Sequence, residues 1–158
     1  MTNHEKARAL WELGNQCLLE GQIEEAVQLF EKSIGEEPTA EGYTFRGWAI
    51  SYLGKLDEAI ENCKTAIELD PDFGNPYNDI GVYLMQKGQL DDAIPWLEKA
   101  KTAKRYEPRH FPHLNLGRIY SAKGDSMRAL DEFMQALEIH PNDETALKAI
   151  ANLNYPVN

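Results

Sequence analysis

The 158-residue sequence predicts an all-α solenoid, with four helical hairpins stacked in series and a ninth helix closing the stack. Three observations carry this. A small-residue pattern recurs four times: Gly14, Gly21 and Ala26; Gly47, Gly54 and Ala59; Gly81, Gly88 and Ala93; Gly117, Gly124 and Ala129. In each copy the glycines are 7 apart and the alanine follows 5 later, while the alanines step by 33, 34 and 36. Ahead of the second glycine, apolar or small residues recur at i, i+3, i+4 and i+7, as in Leu10, Leu13, Gly14, Cys17 and in Tyr77, Ile80, Gly81, Leu84, which is one stripe of a helix. Each copy then ends on a proline, Pro38, Pro71, Pro108 or Pro141, where a helix must stop.

The elements follow in order. Thr2 and Glu5 have the spacing of a capping box, so the first helix starts near Asn3. Gly14 and its equivalents let the partner helix come close, and Gly21 and its equivalents sit where the chain reverses and a positive φ costs glycine little. Second helices follow, such as Ile23–Gly35 and Leu56–Leu69, with Ala26/Phe30 and Ala59/Cys63 as packing pairs. Pro76 and Pro112 fit first helical turns. Pro95 is tolerable there as well, and further inside it implies a local kink. The long third step places extra residues in 101–110, lengthening either the second helix of that repeat or its loop. Asn142 caps a last helix of about Asp143 to Leu153, whose Leu147 and Ile150 cover the final hairpin. One hairpin cannot bury its stripe alone, so stacking is obligatory and a terminal cap is expected. The domain is 1–153, with repeats of about 7–40, 41–73, 74–109 and 110–143, and residues 154–158 are a frayed tail.

This spacing resembles the tetratricopeptide repeat (TPR), a 34-residue helix–turn–helix unit, over nearly the whole chain. The resemblance implies a right-handed solenoid whose first helices line a concave groove that holds extended peptides or helices. It also implies a protein–protein interaction module, an adaptor or assembly scaffold.

Composition excludes other classes. The net charge of −10 and pI near 4.8 disfavour phosphate backbones, so no nucleic-acid partner is expected. No apolar run reaches the roughly 18 residues of a membrane helix, and the N-terminus lacks an apolar signal core. Cys17 and Cys63 form neither a CxxC nor a Cys/His cluster. Both fall at core positions, and free thiols suit the cytoplasm. No nucleophile, phosphate-loop, dinucleotide or HExxH motif is present, so neither an enzyme nor a cofactor is expected. The pairs Glu24-Glu25, Asp57-Glu58 and Asp91-Asp92 recur at one position in the first turn of second helices, where acids face water and favour the dipole. His110 and His113 show no third ligand and read as solvated turn histidines.

The face opposite the stripe is not charged as a wetted face should be. Trp11, Phe45, Trp48 and Tyr52 cluster in the N-terminal half, and Asn15, Asn78, Asp79, Asn115 and Arg118 add polar groups. Aromatic anchors among hydrogen-bonding adapters compose a binding hot spot. The alternative is packing against the next repeat. The partner is a protein or peptide segment with apolar side chains and an acidic group for Arg118. A second copy of the chain, bound by the groove or the solenoid end, is the competing reading. Some members of the resembled family clamp a chaperone's C-terminal carboxylate with Lys, Asn and Arg. Those positions here hold Trp11, Asn15, Phe45, Asn75 and Asp79. Shifted by one repeat they hold Thr44, Trp48, Asp79, Phe111 and Asn115. Only Asn15 matches, and Asp79 would repel a carboxylate, so chaperone tails are disfavoured. Residues 1–74 carry net −9 and the rest −1. In that neutral half, Lys101, Lys104, Arg105 and Arg109 read either as a solvated helix end or as a dock for an acidic partner.

Overall fold

The computed structural model describes residues 1–153; the tail at 154–158 lies outside them. Among the described residues, nine helices run in series: α1 Asn3–Leu19, α2 Ile23–Glu36, α3 Ala40–Tyr52, α4 Leu56–Leu69, α5 Asn75–Gln86, α6 Leu90–Lys101, α7 His110–Ala122, α8 Ser126–Ile139 and α9 Glu144–Asn152. Thr2 and Glu5 form the capping box. Gly21, Gly54, Gly88 and Gly124 turn the four hairpins at φ 79–81°, a conformation in which a Cβ would be strained. Other glycines are contact points. A Cβ on Gly81 would stand 2.5 Å from Leu97, and one on Gly117 2.5 Å from Phe133.

The core is a column of one small and one larger residue per repeat. Ala26, Ala59, Ala93 and Ala129 are fully buried, as are Phe30, Cys63 and Leu97, with Phe133 nearly so. The first helices α1, α3, α5 and α7 touch one another in succession and form the inner layer, each backed by its own second helix.

The departures from expectation have local causes. Leu13 is 49% exposed, although its equivalents Ile80 and Leu116 are fully buried. Those two are covered by the preceding repeat, and no hairpin packs ahead of α1 among the described residues. Leu147 is likewise exposed, because α9 turns Ala146, Ala149, Ile150 and Leu153 toward the last hairpin instead. Cys63 is buried as expected, whereas Cys17 is half-buried at the same open end. Pro108 does not stop α6, which already ends at Lys101. The extra residues form a loop, 102–109, that returns to the preceding junction, where Gly74 N–H donates to Arg105 O and Arg105 N–H to Asp72 O, each at 2.9 Å. Pro95 lies beyond the first turn of α6, so the helical acceptor at Asp91 O loses its donor there.

Candidate functional site

The first helices carry the candidate residues on their inner faces. Trp11 of α1 meets Phe45 of α3 edge to face, with centroids 5.0 Å apart at 81°. Phe45 meets Trp48 at 5.7 Å, and Trp48 meets Tyr52 at 6.1 Å. The four rings form a continuous row because 45, 48 and 52 follow helical spacing on α3 and Trp11 lies one repeat earlier. The row is part core and part surface. Phe45 also reaches the buried Phe30, while Tyr52 is 60% exposed. Core packing and solvent exposure therefore occur in one row.

Asp79 of α5 stands beside it. Two depressions in the inner face share Trp48 and Asp79. One also takes in Phe45, Asn75, Tyr106 and Phe111, and the other Ser51, Tyr52, Val82 and Gln86. Asp79 is half-buried, and burial raises its carboxyl to about 7. Asn15 is half-buried on α1.

The polar residues further along are already engaged. Asn78 and Asn115 are buried, and Asn115 Nδ2 donates to Asn78 Oδ1 at 3.0 Å, joining α5 to α7. Arg118, exposed on α7, donates to Asn115 Oδ1 at 2.9 Å. These amides are thus a bridge between repeats, and Arg118 is the member of this line that reaches solvent.

Sequence reasoning did not find the loop wall. Tyr106 is buried against Gly74, where a Cβ would stand 2.4 Å away, so only glycine admits the ring. The side chains of Glu41, Arg105 and Tyr106 close the groove beside Trp11 and Phe45. Arg105 bonds Glu41 at 2.9 Å and Asp70 at 2.6 Å and lies over the Phe73 ring. Lys101 bonds Glu98 and Glu132, and Arg109 donates to Lys101 O and Lys104 O. Three of the four cations read as a solvated end or dock are therefore structural. The acidic pairs of the second helices do face water, as expected, and Asp57 and Asp91 accept from Lys87 and Lys123 of the following repeats.

The two histidines are not solvated turn residues. Both belong to α7 and are buried. His113 Nδ1 lies 2.8 Å from Glu132 Oε2 of α8. Burial alone would raise the Glu132 carboxyl, but His113 and Lys101 outweigh it and hold it below the ordinary carboxylate range. His110 stacks on His140, with centroids 4.7 Å apart at 14°, and faces Asp143. Burial, then the nearby His140, keep the His110 imidazole below its ordinary pKa. The two histidines thus have separate partners, Glu132 for His113 and His140 with Asp143 for His110, which escaped notice because they come from α8 and the junction after it.

Known proteins share this architecture. The tetratricopeptide repeat family matches residues 7–39, 40–73, 62–94 and 113–143. The Hsp70-Hsp90 organising protein of Plasmodium falciparum is 37% identical over 102 residues, which are 64% of this chain and 38% of that relative. The chain therefore spans under half of that relative's length. The structure of PilF of Pseudomonas aeruginosa superposes with a TM-score of 0.89 at 21% identity, over 96% of this chain and 68% of that one. A thermophilic TPR protein of Thermus thermophilus gives 0.77 at 27% identity, over 93% and 80%. The described residues contain no helix long and apolar enough to cross a membrane. With the fourfold glycine–glycine–alanine register, the turned hairpins and these matches together, the chain belongs to the tetratricopeptide repeat family.

Proposed function

We propose that the chain is a protein–protein interaction module, an adaptor or scaffold, whose inner face takes an extended or helical segment of a partner. The observation that carries this reading is the aromatic row. Trp11, Phe45, Trp48 and Tyr52 run from the core to the surface and end beside Asp79. A surface meant only for water has no use for Trp48 and Tyr52, and rigid rings bind with little loss of entropy. The segment lays apolar side chains on Trp48 and places a donor or cation toward Asp79. An acidic group further along meets Arg118, and Asn15 flanks the N-terminal entrance. Asn78 and Asn115 support the groove through their own bond.

The P. falciparum relative is named for Hsp70 and Hsp90. The positions of a carboxylate clamp hold Trp11, Asn15, Phe45, Asn75 and Asp79 here, so a chaperone's C-terminal tail is not the partner we propose. The reading involves no catalysis and no nucleic acid. It places the chain in the cytoplasm, in keeping with the free thiols Cys17 and Cys63.

Affinity capture of the partner and calorimetry test it. Trp48→Ala is expected to cost about 2 kcal/mol or more of binding with circular dichroism unchanged, and Arg118→Ala to weaken binding and lower its salt dependence. Parent-like binding by both variants overturns the groove. A second reading, assembly of copies end to end, is favoured by the exposed Leu13 at the open first repeat; light scattering across concentration separates the two.

A further inference from the structure

The junction between the fourth hairpin and the capping helix gathers three metal-ligating side chains from three elements. His110 opens α7, His140 follows the last residue of α8, and Asp143 caps α9. Their donor atoms all lie within 4.8 Å of one another. Asp143 Oδ2 is 3.6 Å from His110 Nε2 and 3.4 Å from His140 Nδ1. A tetrahedral ion bound at about 2.0–2.1 Å spaces its ligands by about 3.3–3.4 Å, so the two separations to Asp143 are near those an ion requires, and the imidazoles come to it once one ring turns.

We propose that His110, His140 and Asp143 form a three-ligand site for a divalent transition metal of the zinc class, which ties the capping helix to the fourth hairpin.

Two further observations support the site. The carboxylate is already oriented, because Asp143 Oδ1 accepts the Ala146 N–H at 2.8 Å as the helix cap, leaving Oδ2 turned to the imidazoles. Such outer bonds fix a metal ligand's direction. The Asp143 N–H also bonds His140 O at 3.1 Å, so the turn holds these two ligands in register.

The second observation is the departure from the repeat. Seven residues before the first glycine, the other repeats hold Ala7, Ala40 and Gly74, and only the fourth holds a large polar group, His110. Hairpin packing does not ask for it. Two imidazoles and one carboxylate suit zinc and its neighbours, whereas magnesium and calcium take oxygen sets. The parallel rings cannot both aim at one ion, so loading turns one of them. His140, with its side chain 56% exposed, turns without disturbing the core, and its open side leaves a fourth position for water.

The test titrates the full chain, stripped with a chelator, with zinc chloride and in parallel with magnesium chloride, by calorimetry. His140→Ala removes an exposed ligand. Asp143→Asn removes the charge but keeps an acceptor for Ala146. Circular dichroism checks that both are folded. One zinc per chain is expected, with no magnesium binding, and with about tenfold or greater loss of zinc affinity in either variant. Cobalt(II) should give the visible bands of a tetrahedral nitrogen–oxygen site in the parent and not in His140→Ala. Zinc should raise the melting temperature of the parent alone. Absence of zinc binding overturns the proposal. So does equal binding by parent and both variants, which would place the ion on Cys17, Cys63 or surface carboxylates.

Discussion

In repeats one and two the inner face carries four aromatic rings, graded from buried Phe45 contacts to a Tyr52 that is 60% exposed. In repeats three and four, Asn78 stands at the position of Trp11 and Asn115 at that of Phe45, both buried and bonded to each other. Behind them, Glu132 is held by Lys101 and His113. Both halves have the same buried alanines and the same glycines in close contact with the second helix, at Phe30, the Ala59 carbonyl, Leu97 and Phe133. The framework is therefore set by a few small residues per repeat, and it leaves the inner face open to either use. Where polar groups pair within the chain, they stabilise it. Where rings stay open beside Asp79 at the boundary of repeats two and three, the surface is the one proposed above for a partner.

The shared framework gives the largest expected effect. Ala59 is fully buried, and its carbonyl oxygen lies 3.0 Å from where a Cβ on Gly47 would stand. Ala59→Phe overpacks that contact and is expected to cost about 3 kcal/mol or more, read as a lower denaturation midpoint. An unchanged midpoint would mean that the small column is not what unites the two halves.

A smaller loss is expected from the C-terminal network. Glu132→Ala leaves Lys101 and His113 facing each other without their common acceptor, at a cost of about 2 kcal/mol at neutral pH. The pH dependence carries the sign. The Glu132 carboxyl is depressed in the folded chain, so its contribution is present above the unfolded carboxylate range and is lost as pH falls through the folded value. Parent and variant should therefore converge in stability on acidification. A gap that stays constant into acid would assign the cost to lost packing and not to charge.

How much of this could be read from the sequence divides along the same line. Local spacing set the hairpins, because Gly14 to Gly21 to Ala26 is contained within one repeat. The aromatic row was legible because Trp48 and Tyr52 share a helix face. The buried histidines were not, since Glu132 lies 19 residues from His113 and His140 and Asp143 approach His110 only after a whole hairpin closes. Nor was the loop wall, because the two extra residues do not reveal that Tyr106 will settle on Gly74. The signal that could have found it is the glycine at 74, where repeats one and two place Ala7 and Ala40. The cations 101 and 105 were illegible for the same reason, and 109 because the loop's own fold decides its acceptors. Lys101 and Arg105 find their partners Glu132, Glu41 and Asp70 on other elements, and Arg109 turns back on the carbonyls of the loop's own start.

The smallest effect is the sharpest test of the contrast, because it concerns a carboxylate that Glu132 resembles in type and opposes in role. Asp79 is half-buried, and burial raises its carboxyl to about 7, against about 3.9 for an unfolded aspartate. The folded chain thus holds a proton that the unfolded chain has released between these two values. Stability from this group is highest near pH 4, falls as pH rises to about 7, and is flat above. Asp79→Asn keeps the shape and removes the charge. It should leave stability unchanged near pH 4 and raise it by about 1 kcal/mol at pH 8, because water reaching the half-buried carboxyl screens most of what the full shift would give, measured as paired urea midpoints. The same variant should bind the captured partner less well, since the donor or cation it placed toward Asp79 loses its charge complement. Gain in stability with loss of binding is what a residue kept for a partner gives. A loss of stability at pH 8 would instead make Asp79 a structural acceptor like Glu132, and the carboxyl beside the aromatic row would no longer differ in kind from the paired one.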